Sequence, residues 1–165
     1  MRALLALLLS ALVSSVVSPF RLGNAEPLDL AEAVALAEDP QELSRTWDRG
    51  FLAIPAPAFG ADGKALFGMI GEAVTKDRLT ALSADLSLPV IVYLHGCGGF
   101  GVTVTQLPLL AERAGFAVVA PDSFGRIVRR KNCDNTTYSG GMFPAAWLYR
   151  RAELVHTVRR VRELP

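Results

Sequence analysis

Residues 91–101 read Ile-Val-Tyr-Leu-His-Gly-Cys-Gly-Gly-Phe-Gly, an apolar run that empties into glycines. Two chemistries fit this spacing. Residues 96–101 satisfy G-x-G-x-x-G, which lets a backbone turn tightly beneath a dinucleotide pyrophosphate. Asp122, 21 residues beyond Gly101, is then in place for a ribose hydroxyl. Residues 95–98 satisfy H-G-x-G, which aims backbone N–H groups at an oxygen that gains negative charge during acyl transfer. Each such donor in a dry site is worth roughly 3–4 kcal/mol. In this second chemistry the Cys97 N–H is the first donor and the Gly98 N–H the second, with His95 and Gly96 as loop support rather than proton carriers. The flanking residues favour it. A dinucleotide fingerprint needs its helix to start inside the glycine run. Here Val102-Thr103-Val104-Thr105, all β-branched, intervenes, and Pro121 biases the surroundings of Asp122 toward a turn.

Acyl transfer also needs a nucleophile on a sharp strand-to-helix turn, G-x-S-x-G or its Cys equivalent. Ser139, in Thr-Tyr-Ser-Gly-Gly, and Ser123, in Pro-Asp-Ser-Phe-Gly, both lack the leading glycine and read as loop serines. Cys97 as nucleophile would need a paired histidine. His95 braces the loop and His156 belongs to a helix, so none is evident. Two cysteines without a C-x-x-C spacing give little support for a metal site, and no cofactor is expected.

The elements around the loop follow from periodicity and punctuation. Residues 89–94 form a continuously apolar β-rich run, as in strands of parallel sheets covered on both faces. Residues 106–114 predict a helix with Pro108 in its first turn and Gly115 at its stop. Residues 116–120 predict a second buried strand closed by Pro121. Strand, helix and strand within about thirty residues make a right-handed βαβ unit. Upstream, 49–58 and 65–74 predict a hairpin around Asp62-Gly63, with Pro55 and Pro57 placing the first strand at a sheet edge. Residues 26–45 carry a weak helical pattern ending before Pro40. Residues 144–164 predict a helix whose apolar stripe is Trp147, Leu148, Leu154, Val155, Val158 and Val161. Its wet side is Arg150, Arg151, Arg159, Arg160 and Glu163.

A length of 165 residues suggests one domain, and a formal net charge of +1 gives no field for nucleic acid. Nine of the seventeen Lys and Arg lie between Arg126 and Arg162, opposed by Asp134, Glu153 and Glu163. That basic run reads as a solvated loop and helix face. The first 25 residues combine Arg2, an apolar stretch over 3–17 and Gly-Asn-Ala at the boundary. They read as a secretory signal peptide cleaved after Ala25, shorter than a spanning helix, with an uncleaved anchor as the alternative; this implies a secreted or periplasmic chain with no further membrane segment. In an oxidising compartment Cys97 and Cys133 would commonly pair, and Asn135-Thr136-Thr137 is a glycosylation sequon.

"LPVIVYLHGCGGF", a helix, "GFAVVAPDSFGR", a Cys, a Gly-Gly and an Arg-rich helix together resemble the dienelactone hydrolase-like branch of the α/β-hydrolases. The resemblance covers roughly residues 45–165 and is most specific in His-Gly-Cys-Gly-Gly and Ala-Pro-Asp-Ser-Phe. It implies an α/β class: a partial α/β-hydrolase fold with an N-terminal hairpin, a parallel βαβ unit, flanking helices and an incomplete sheet. The organisation becomes signal peptide 1–25, N-terminal extension 26–45, and the N-terminal half of a hydrolase domain over 46–165. It further implies a small-molecule ester or lactone substrate and a Cys97–Cys133 disulfide. Closing that loop of about 37 residues would contribute roughly 3–4 kcal/mol. In the family the nucleophile elbow follows the helix that here ends at Leu164. The expectation is therefore a truncated chain, silent alone, whose strand 89–94 keeps an unpaired edge and invites aggregation. The alternatives are a non-catalytic exported binding module on the same scaffold and, less favoured, a dinucleotide-binding oxidoreductase.

Overall fold

The computed structural model describes residues 30–61, 63–82, 86–96, 99–127 and 142–164. Among these, a four-stranded mixed sheet carries five α-helices. No helix of the described residues is long and apolar enough to cross a membrane.

Two short helices come first, α1 (Leu30–Glu38) and α2 (Pro40–Asp48). Asp39 makes the break. Its Oδ1 accepts from the N–H groups of Gln41 at 2.8 Å and Glu42 at 3.1 Å, capping α2. Pro40 fills the first turn, where a missing N–H does no harm. The proline expected to end a helical pattern therefore begins a second helix. Ala33 and Ala37 of α1 are buried, and α1 packs against the long helix α5 (Met142–Arg162). Their methyl groups allow a close approach that the weak apolar periodicity does not advertise.

Strand β1 (Phe51–Ile54) pairs antiparallel with β2 (Leu66–Met69), setting Phe51 opposite Met69 and Ile54 opposite Leu66. The hairpin is as expected, but β2 is shorter, and its tail is helix α3 (Ala73–Leu79). On its other side β1 pairs antiparallel with β4 (Ala117–Ala120), so the sheet order is β2-β1-β4-β3. The edge position expected for β1 is thus corrected. Pro55 lies just past the last paired residue and Pro57 sits in a 3₁₀ turn over Ala56–Phe59, so neither removes a ladder hydrogen bond.

Strand β3 (Val90–Val92) runs parallel to β4, with Val90 opposite Ala117 and Val92 opposite Val119. Helix α4 (Leu107–Ala114) connects the two, and Gly115, at φ 69°, supplies its left-handed stop. The β-branched stretch ahead of α4 forms a 3₁₀ turn over Gly101–Gln106. β4 is buried along its whole length, as its sequence implies, but β3 is not. It is the outer strand, and Val90 is 40% exposed. One sheet face packs Leu52, Ile54, Leu66, Ala117 and Val119 against Trp47 and Leu79. The opposite face packs Ala53, Val118 and Ala120 against Leu107 and Ala111 of α4.

Truncating Leu52 to Ala removes a side chain only 2% exposed between strands, and should destabilise by about 2–5 kcal/mol. Val102→Ala, at a residue 84% exposed, should stay within about 0.5 kcal/mol. Urea unfolding followed by circular dichroism checks both.

Candidate functional site

The site grows from His95, just past the carboxyl end of β3 and 1% exposed. Nδ1 lies 2.8 Å from the Gly96 carbonyl oxygen, and the Ser123 N–H points at Nε2 from 3.0 Å. One tautomer satisfies both backbone groups: Nδ1–H donates to Gly96, and a bare Nε2 accepts from Ser123. The ring therefore ties the loop after β3 to the turn after β4. Phe100 and Phe124 stand against it with ring centroids at 4.7 and 5.1 Å. Gly99 donates its N–H to the same Gly96 carbonyl at 3.0 Å. Its φ is 74°, and a Cβ there would sit 2.8 Å from the Phe124 ring, so this turn requires glycine. His95 and Gly96, expected as loop support, are joined here to each other and, through Nε2, to the Ser123 amide. Cys97 and Gly98, the expected donors, and Cys133, the expected disulfide partner, lie outside the described residues.

Asp122 closes the layer beneath. Its carboxylate accepts from the Phe124 N–H at 2.9 Å and from Arg49 Nε at 3.3 Å, and its Oδ1 lies 3.3 Å from His95 Nε2. Burial pushes the Asp122 carboxyl up. A hydrogen bond from a His95 ring that carries a proton on Nε2, the Phe124 amide and Arg49 outweigh that and hold it below the ordinary carboxylate value. Because the Ser123 amide already aims its proton at Nε2, the Phe124 amide and the guanidinium are the donors that neutral imidazole leaves in place. These bonds turn Asp122 inward and occupy the carboxylate that the dinucleotide pattern would give to a ribose. Helix α4, moreover, starts at Leu107, beyond the glycine run.

A second buried charge was not legible as a site. Glu153 of α5 is 0% exposed. Its Oε1 accepts from Arg126 Nε at 2.9 Å, and its Oε2 from Ser123 Oγ at 2.5 Å and Arg150 Nη1 at 3.1 Å. Arg150 Nη1 also donates to Ser123 Oγ. The hydroxyl of Ser123 is thus committed on both its donor and acceptor sides, which fits a loop serine. Arg126, 4% exposed, sends its other nitrogens to the carbonyls of Leu36 at 3.0 Å and Ala37 at 3.1 Å, in the last turn of α1. A cation there also meets the negative end of the helix dipole. The Tyr149 ring lies 4.7 Å from its guanidinium carbon.

Two expectations are corrected here. Arg126 does not belong to a solvated loop. On α5 the deepest stripe is Tyr149, Glu153 and Thr157, four residues apart and all buried, while Trp147 is 63% exposed and Leu154 and Val155 are also exposed. The hydrogen-bonded charge draws its own stripe inward and leaves Trp147, Leu154 and Val155 outside, while Val161 of the expected apolar stripe still packs against the core. The sequence does contain a signal: an acid one turn from a tyrosine and one turn from a threonine, with Arg126 the first of several basic residues after β4. Apolar counting alone passes over it.

No family model matches the chain, and neither a curated protein nor a solved structure gives a significant match to it.

Arg126→Met leaves Glu153 without its principal charge partner in the core and should destabilise by about 3–5 kcal/mol. Arg126→Met combined with Glu153→Leu should cost much less than the sum of the two single changes, read as a thermal-unfolding double-mutant cycle. Asp122 titrates below its ordinary value when folded, so its contribution to stability is present above the unfolded carboxylate range. That contribution is lost as the pH falls through the lower folded value. Asp122→Asn should flatten this acid limb of an unfolding-versus-pH profile.

Proposed function

We propose that this chain carries the oxyanion-hole side of an exported α/β-hydrolase-like enzyme acting on an ester, lactone or related acyl substrate. The observation that carries the reading is the His95 clamp, which bonds the first carbonyl of the glycine loop and the first amide after Asp122 at once. A loop braced from below on a parallel strand pair is a preorganised support for amides that must not move as charge develops. In this reading the Cys97 and Gly98 amides face the substrate oxygen. His95 and Gly96 hold them there, and a Cys97–Cys133 disulfide staples the loop. Among the described residues, Ser123 is bonded to Glu153 and Arg150 rather than poised as a nucleophile, and in this reading the attacking group follows residue 165 and these 165 residues alone are inactive. In this reading the first 25 residues act as a signal peptide that sends the chain to the periplasm or outside the cell. The same saturation of Ser123, Asp122 and His95 favours the second reading, a non-catalytic module that keeps the scaffold.

The reading frame beyond Pro165 separates these readings. A strand followed by G-x-S-x-G or G-x-C-x-G, then an acid and a histidine, is expected. In the product of that longer frame, Gly98→Pro deletes one donor N–H and should lower kcat on aryl esters about 10²- to 10³-fold with little change in KM. Robust ester hydrolysis by residues 26–165 alone, unaffected by Gly98→Pro, would sink the proposal.

A further inference from the structure

A groove of about 350 Å³ runs between α1 and α5 and shares no residue with the glycine loop or the turn after β4. The volume lies at the low end of small-ligand sites. From α5 it is lined by Leu148, Arg151, Val155, His156 and Arg159, whose spacings of three and four place them on one helical stripe. Leu43 contributes from α2.

The polar groups of this stripe are underused. His156 Nε2 is buried and has no hydrogen-bond partner, an unfavourable state that a ligand acceptor would relieve. Arg159 makes no ion pair or hydrogen bond among the described residues, and Arg151 lies only over the Trp147 ring, at 5.9 Å. Burial first and then Arg160 lower the His156 pKa. Glu163 raises it, while Arg159 and Arg126 lower it further. Arg160 is paired with Glu163 and Arg126 with Glu153, so among the described residues Arg159 is the uncompensated cation beside the ring, and an anion is its natural complement. Glu38, on the α1 rim, is the opposing charge.

We propose that this groove binds a small amphipathic anion, a carboxylate with one short apolar tail. Arg151, His156 and Arg159 take the carboxylate, and Leu43, Leu148 and Val155 line the tail. Guanidinium groups pair a carboxylate with two parallel hydrogen bonds, and the neutral imidazole supplies a third donor from its Nε2–H tautomer. The site is independent of the hydrolase reading and stands whether or not the chain turns over an ester.

Equilibrium dialysis of the full chain against radiolabelled octanoate tests it, with octyltrimethylammonium, the same tail on an opposite charge, and acetate, the head without the tail, as controls. Saturable octanoate binding is expected, with neither control binding. Arg151→Gln and Arg159→Gln, both at exposed positions, should each weaken it about 3- to 10-fold, and Glu38→Gln should tighten it a few-fold. Val155→Asp should abolish it while leaving the circular dichroism spectrum unchanged. No octanoate binding at millimolar concentration overturns the assignment, as does equal binding by the Arg151→Gln/Arg159→Gln double variant or by octyltrimethylammonium. Binding to phosphatidylglycerol vesicles without binding to free octanoate would mean that the groove meets a lipid surface instead, and also overturns it.

Discussion

A carboxylate with no access to water must find its partners inside the protein, and Glu153 finds them on the turn after β4 and on its own helix. Arg126 and Ser123 come from that turn, and Arg150 from one helical turn earlier on α5. Leaving such a group unpaired would be far more unfavourable than any single apolar contact is favourable. The position of α5 over the sheet is therefore set by where this charge can be met. Arg126 carries the constraint further, because its remaining nitrogens end on the carbonyls of Leu36 and Ala37. The first helix, the β4 turn and the last helix are in this way locked through one guanidinium.

The same logic, with a neutral ring in place of a charge, organises the other side of the β4 turn. His95 satisfies one carbonyl and one amide from two loops that emerge at the same edge of the sheet. Asp122 sits beside it and is filled by the Phe124 amide and Arg49. Ser123 belongs to both networks, through its amide to His95 and through its hydroxyl to Glu153. Any substrate held above the glycine loop would rest on a polar layer with its hydrogen bonds already made. Such a layer resists reorganisation as charge changes nearby.

Spending the inner face of α5 on hydrogen bonds has a consequence outside. Trp147, Leu154 and Val155 are exposed, interleaved with arginines. Helix α1 shields part of that surface and leaves the groove that holds the unpartnered nitrogen of His156. Glu153 turns inward and Trp147, Leu154 and Val155 outward, while Arg151, Arg159 and Arg160 stay exposed and Val161 packs against the core.

Local chemistry alone determined much of this protein. The continuous apolar runs gave β3 and β4, Pro108 and Gly115 bracketed α4, and the spacing of His95 and its glycines marked a loop that needs bracing. Those features depend on neighbours a few residues away, which a sequence displays. Tertiary structure decided what depends on partners far along the chain. It put β1 inside the sheet because β4, more than sixty residues later, pairs with its second side. It buried Arg126 because Leu36 and Ala37, about ninety residues earlier, offer carbonyls. It turned Glu153 inward because the β4 turn brings donors to it. A charge looks the same in sequence whether water or protein solvates it, and only the fold chooses between the two.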